Sequence, residues 1–96
     1  MTEPQMTVQD NPQRSRYEIF VAGDLAGYSL YVDRDGTRTF THTVIDPDYE
    51  GHGVGSTLAR AALEDVRSKG MTVVPRCPFI AAYIGRHAEY EDLLAH

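Results

Sequence analysis

Between Val44 and Val54 the hydrophobic period of the chain changes, and glycines fill the change: residues 49–56 read "YEGHGVGS". Upstream, apolar residues alternate with polar ones, the period of a strand. Downstream, Val54, Leu58, Ala61, Ala62 and Val66 recur at spacings of three and four, the period of a helix with one apolar face. A chain of 96 residues that makes this switch has room for one sheet with a helix packed on it. The loop between them carries glycines at alternate positions, where backbone comes close to a ligand or simply turns.

Three strands are expected before the switch. "YEIFVAG" alternates from Tyr17, and "AGYSLYVDRDG" sets Tyr28, Leu30 and Val32 on one face. Asp35-Gly36 supplies a turn, and "TRTFTHTVID" makes a third strand with Phe40, His42 and Val44 on one side. Short links make these an antiparallel meander, closed by the turn at Asp46-Pro47-Asp48. Gly70 ends the helix after Arg67 and Lys69, cations that suit its last turn. "MTVVP" reads as a short strand, "FIAAYIGRH" as a helix entered through proline, and "AEYEDLLAH" as a last helical piece. Residues 1–15 are polar and without period, a flexible leader; 16–96 form the domain. The order β-β-β-α-β-α-α is an α/β sandwich with a mostly antiparallel sheet.

Composition removes several classes of function. The net charge is −5 and the basic residues are scattered, which argues against a nucleic-acid surface. The chain has neither a membrane-length apolar run nor a secretory h-region, and Cys77 has no partner for an internal disulfide. A cytoplasmic protein off the membrane is expected. His42, His52, His87, His96 and Cys77 lack ligand spacing, so no metal is expected.

The glycine loop has its own chemistry. First-turn amides of a helix are unpaired and sit at the positive end of the macrodipole, so they form an anion site suited to a pyrophosphate. No lysine follows the glycines as a nucleoside-triphosphate loop requires, and the dinucleotide fingerprint fails in its third glycine and its opening βαβ unit. Spacing alone leaves a ligand-free turn as the alternative.

The run "VIDPDYEGHGVGSTLARAALEDVRSKG" resembles motif A of the GNAT-type, acetyl-CoA-dependent N-acetyltransferases, with Gly53 and Gly55 on its glycines. "VVPRCPFIAAYIGRHAEYEDLL" and the earlier "THT" resemble the very short, single-domain members of that family. The likeness spans Tyr17 to Leu94. It implies a minimal GNAT-like fold and direct acetyl transfer from acetyl-CoA to a primary amine, in a protein or a small molecule. A non-catalytic acyl-CoA-binding module is the alternative, and a monomer or weak homodimer is expected.

The resemblance also implies roles. The pantetheine arm of coenzyme A would lie along Val44, Ile45 and Asp46. Its pyrophosphate would meet the amides of Gly51, His52, Gly53, Val54, Gly55 and Ser56, with Arg86 and His87 as outer phosphate contacts. Glu50 stands where the motif has Gln or Arg, so it is expected to point away from the phosphates. Val44 stands where many relatives carry a glutamate base.

Three side chains then compete for proton transfer. His42 is a base type that titrates near neutral pH, or else a strand histidine satisfied by the fold. Cys77, ahead of a helix, protonates the leaving thiolate, forms an acetyl-enzyme, or simply lines the acyl channel. Tyr83 is the residue type that many relatives use to protonate coenzyme A, or packs against the sheet.

Overall fold

The computed structural model describes residues 5–95; residues 1–4 of the expected leader and His96 lie outside the described residues. Five strands form one sheet in chain order: β1 (Met6–Asn11), β2 (Arg16–Val21), β3 (Asp24–Arg34), β4 (Thr37–Ile45) and β5 (Thr72–Pro75). The first four pair antiparallel, and β5 runs parallel to β4. A 3-10 turn (Pro47–Tyr49) leads to helix α1 (Val54–Ser68), whose crossover brings the chain to β5. Helix α2 (Pro78–Arg86) and a 3-10 helix (Ala88–Leu93) complete the chain. This is the expected mostly antiparallel α/β architecture with one strand more.

The extra strand lies inside the stretch expected as a flexible leader. β1 pairs with β2 along its length, from Met6 opposite Val21 to Asn11 opposite Arg16. Its period is hard to read because only Met6 and Val8 are apolar among the inward positions and Asp10 takes the third. Asp10 is accommodated because the Tyr31 hydroxyl and the Lys69 ammonium both donate to it. A boundary at residue 16 therefore cuts through a hairpin.

The core lies between one face of the sheet and the two helices. Tyr17, Ile19, Tyr31 and Phe40 from the sheet meet Val54, Leu58, Ala62, Leu63 and Val66 of α1, all buried. Losing a side chain such as Leu58 there would cost about 2–5 kcal/mol, from lost transfer energy plus the cavity left behind. Gly70 at φ +67° follows the end of α1 and turns the chain toward β5.

A β-bulge reorganises β4. Leu30 lies opposite His42 whereas Tyr31 lies opposite Phe40, so Thr41 is an extra residue. Side chains alternate across a strand, and one inserted residue reverses the faces beyond it. Phe40 is fully buried on the helix-covered face, while His42 and Val44 share the open face with Leu30 and Tyr28. The expected grouping of Phe40, His42 and Val44 on one side is thereby corrected. Thr43 and Ile45, opposite Ser29 and Gly27, are turned back toward the helices.

Candidate active site

The site begins where β4 and β5 part. Their ladder runs from Thr37 opposite Thr72 to Phe40 opposite Pro75, and the Cys77 amide donates to the Phe40 carbonyl at 2.9 Å. The rest of β4 continues to Ile45 paired with β3 on one side. Among the described residues its other edge has no strand beside it. Pro78 then starts α2 and turns the chain away, with Cys77 as the residue before its first turn.

A groove of about 430 Å³ opens at this edge. Thr43 and Ile45 form one wall, Phe79 of α2 another, and the loop from Tyr49 through Gly51 to Ser56 the floor. Gly51 (φ +84°) and Gly53 (φ +75°) supply left-handed turns that other residues enter only at a cost. Gly55 serves differently: a Cβ there would lie 2.6 Å from Phe79 Cζ, so its bare backbone accommodates an aromatic ring.

The first turn of α1 faces this groove. Gly53 precedes the helix without a side-chain cap, and the first turn holds no acidic residue. The first helical bond runs from the Thr57 amide to the Gly53 carbonyl at 3.0 Å, so the amides of Val54, Gly55 and Ser56 have no partner within the helix. Unpaired donors at the positive end of a 15-residue helix fit a pyrophosphate. Glu50, expected to point elsewhere, lines the groove.

The residues expected to act together are distributed. Cys77 is 2% exposed and donates its thiol proton to Thr43 Oγ1 at 3.2 Å, away from the groove lining. His42 is exposed on the other face of the sheet. Tyr83 is buried against α1, its ring stacked on His87 with centroids 3.9 Å apart, and burial raises its hydroxyl pKa. His87 Nδ1 lies 2.8 Å from the Tyr83 carbonyl oxygen, and Arg86 is exposed beside it at the end of α2. His52 is exposed at the loop, whereas Val44 and Asp46 border a second, smaller pocket of about 230 Å³ on the open side of the sheet. Thr43, Tyr49 and Phe79 line the groove without having been singled out in the sequence. Gly55 and Phe79 meet only in the fold, and Thr43 faces the groove only because of the bulge at Thr41.

The family model of the GCN5-related N-acetyltransferases matches residues 16–93. The chain belongs to this family. It is therefore an acetyl-transferring enzyme by family, and family members use acetyl-CoA as their donor. Solved structures of this N-acetyltransferase family share the fold. A GCN5-like N-acetyltransferase candidate from Staphylococcus aureus, solved by NMR, superposes with TM-score 0.69 at 20% identity, covering 99% of this chain and 91% of that one. Ard1 from Thermoplasma volcanium gives 0.59 at 25% identity over 69% of this chain, which spans 45% of the Ard1 chain. Nourseothricin acetyltransferase gives 0.53 at 18% identity, covering 93% of this chain and 68% of that one. A search of curated proteins returns no match. Among the described residues no helix is long and apolar enough to cross a membrane.

Proposed function

We propose that the chain transfers an acetyl group directly from acetyl-CoA to a primary amine. The observation that carries this reading is one groove bounded by an uncapped helix start and a strand edge that no described residue pairs with. Val54, Gly55 and Ser56 would hold the pyrophosphate by their amides, with Gly51, His52 and Gly53 shaping the approach. Val44, Ile45 and Asp46 would offer their backbone to the pantetheine arm as a further strand would. Arg86 and His87 stand as outer contacts for the nucleotide.

Acetyl-CoA supplies the activated acyl group; the chain must orient it, accept a proton from the amine and return one to the departing sulfur. His42 stands on the open face, one residue before groove-lining Thr43, and would take the proton of an amine that approaches from that side. The burial of Cys77 favours direct transfer over an acetyl-cysteine. Tyr83, closed in beneath His87, enters as a support for that ring.

The separation of His42 from Cys77 across the sheet, and Val44 in place of a carboxylate, favour one second reading: an acyl-CoA-binding module without turnover. Two measurements decide. Coenzyme A at 100 times its dissociation constant should add about 2.7 kcal/mol of stability, visible as a thermal shift. Acetyl-CoA with a panel of amines should release thiol; a thermal shift with no thiol release from any amine would sink the enzyme and leave the binder.

A further inference from the structure

We infer that Thr43 connects Cys77 to the acyl site and delivers the proton that the leaving thiolate takes up. The inference rests on the transfer reading above. Cys77 is 2% exposed and outside the groove lining, so its sulfur does not reach a thioester lying there. Thr43 meets both sides. It lines the groove, and its Oγ1 accepts the Cys77 thiol proton at 3.2 Å. The same oxygen lies 2.9 Å from Ser29 Oγ, a side chain fully buried in the sheet beneath it.

A hydroxyl carries one proton and two lone pairs. When Cys77 and Ser29 both donate to Thr43, its lone pairs are occupied and its own proton is left to face the groove. The bulge at Thr41 makes this possible, since without it the residue at 43 would lie on the open face. Ser29 is then a positioning residue that fixes the direction of the Thr43 proton.

The step balances as follows. The amine nitrogen bonds to the thioester carbonyl carbon, and the carbon–sulfur bond breaks with its electron pair on sulfur. Thr43 gives its hydroxyl proton to that sulfur, and Cys77 gives its thiol proton to the Thr43 oxygen. Cys77 is left as a thiolate. The amine sheds its proton to His42 and from there to bulk water, and a proton from the groove returns to Cys77 by the reverse path, Thr43 giving its proton to the thiolate and taking one from the groove.

Thr43→Val removes the hydroxyl at nearly constant volume, and Thr43→Ser keeps it. Thr43→Val should lower kcat by roughly 10²-fold with the KM for acetyl-CoA unchanged, and Thr43→Ser should restore most of the rate. In a Cys77→Ala background Thr43→Val should add little, because the two act as one unit. A readout without turnover comes from binding: the wild type should prefer coenzyme A to its desulfo analogue, and Thr43→Val should erase that preference. Full kcat in Thr43→Val, or an effect that adds wholly to that of Cys77→Ala, overturns the relay while transfer stands. Equal wild-type affinity for the two compounds overturns the contact between Thr43 and sulfur. A wild type that keeps the sulfur preference yet acetylates no amine removes the transfer reading, and with it the proton step, leaving only the contact.

Discussion

At the start of β4, Arg38 is 5% exposed and its guanidinium is held on every side; at the end of the same strand, residues 41–45 have one edge unpaired among the described residues, and the following helix begins uncapped. Arg38 donates to both oxygens of Asp33 at 2.7 Å and to the Tyr17 hydroxyl at 2.6 Å, and Tyr17 donates in turn to Asp65. Lys69 joins Asp10 to Asp65, tying β1 to the end of α1. One end thus satisfies its polar groups internally, and the other leaves donors for something else. A buried group that finds its partners within the chain is structure, whereas a fixed set of donors without partners is a candidate site.

The largest test of this contrast is Arg38→Ala. Removing the cation leaves Asp33 without its partner and Asp10 and Asp65 with Lys69 as their shared cation, around a cavity. Because Asp33 is partly open to water, the expected cost is about 2–3 kcal/mol in urea denaturation, somewhat below that of a fully buried pair. Arg38→Met should cost less, because an aliphatic stem still packs between the Tyr17 and Tyr31 rings. Neither variant should alter coenzyme A affinity of the folded protein. A matching loss of affinity would show that the two ends of β4 are not independent.

At the other end, Gly55→Val should act on the groove first. Its Cβ would stand 2.6 Å from Phe79 Cζ, so the ring must leave the groove wall at an overpacking cost of about 1–3 kcal/mol. Coenzyme A affinity should fall roughly tenfold, about 1.4 kcal/mol by calorimetry, and Phe79→Leu in the same chain should recover part of it. Gly53→Ala is the milder control. Nothing lies within 4 Å of its added Cβ, so the strain of φ +75°, about 1 kcal/mol, is the expected whole of its effect on stability.

These glycines show how far the sequence could be read. The strand-to-helix switch, the stop at Gly70 and the proline entry to α2 each follow from local chemistry, and each stands in the fold. So does the placement of the uncapped helix start. What escaped notice depended on pairing between distant segments. Nothing in "TRTFTHTVID" marks Thr41 as an extra residue, because a bulge is defined by its partner strand; without it Phe40 and His42 look like neighbours on one face. β1 was hidden because polar residues dominate it and its support comes from Tyr31 and Lys69, far along the chain. The Thr43–Cys77 contact joins residues 34 positions apart and has no local signature at all.

The smallest effect to measure is acid destabilisation, and its sign follows from the Arg38 end. The bond from Arg38 holds the Asp33 carboxyl below the usual carboxylate range. For Asp65, burial works to raise the pKa, but bonds from Lys69 and the Tyr17 hydroxyl bring it below its ordinary value. Both groups bind protons more weakly in the folded chain than in the unfolded one. Their contribution is therefore complete above the unfolded carboxylate value, about pH 4, and is lost as pH falls through the lower folded values. Asp33 is 42% exposed, so water and salt screen much of this, and the expected change is a modest fall in Tm between about pH 4 and pH 2. Arg38→Met should flatten that fall, because Asp33 then has no guanidinium to lower its pKa. A slope unchanged in the variant would move the acid sensitivity to Asp65, whose bonds from Lys69 and the Tyr17 hydroxyl the substitution leaves in place.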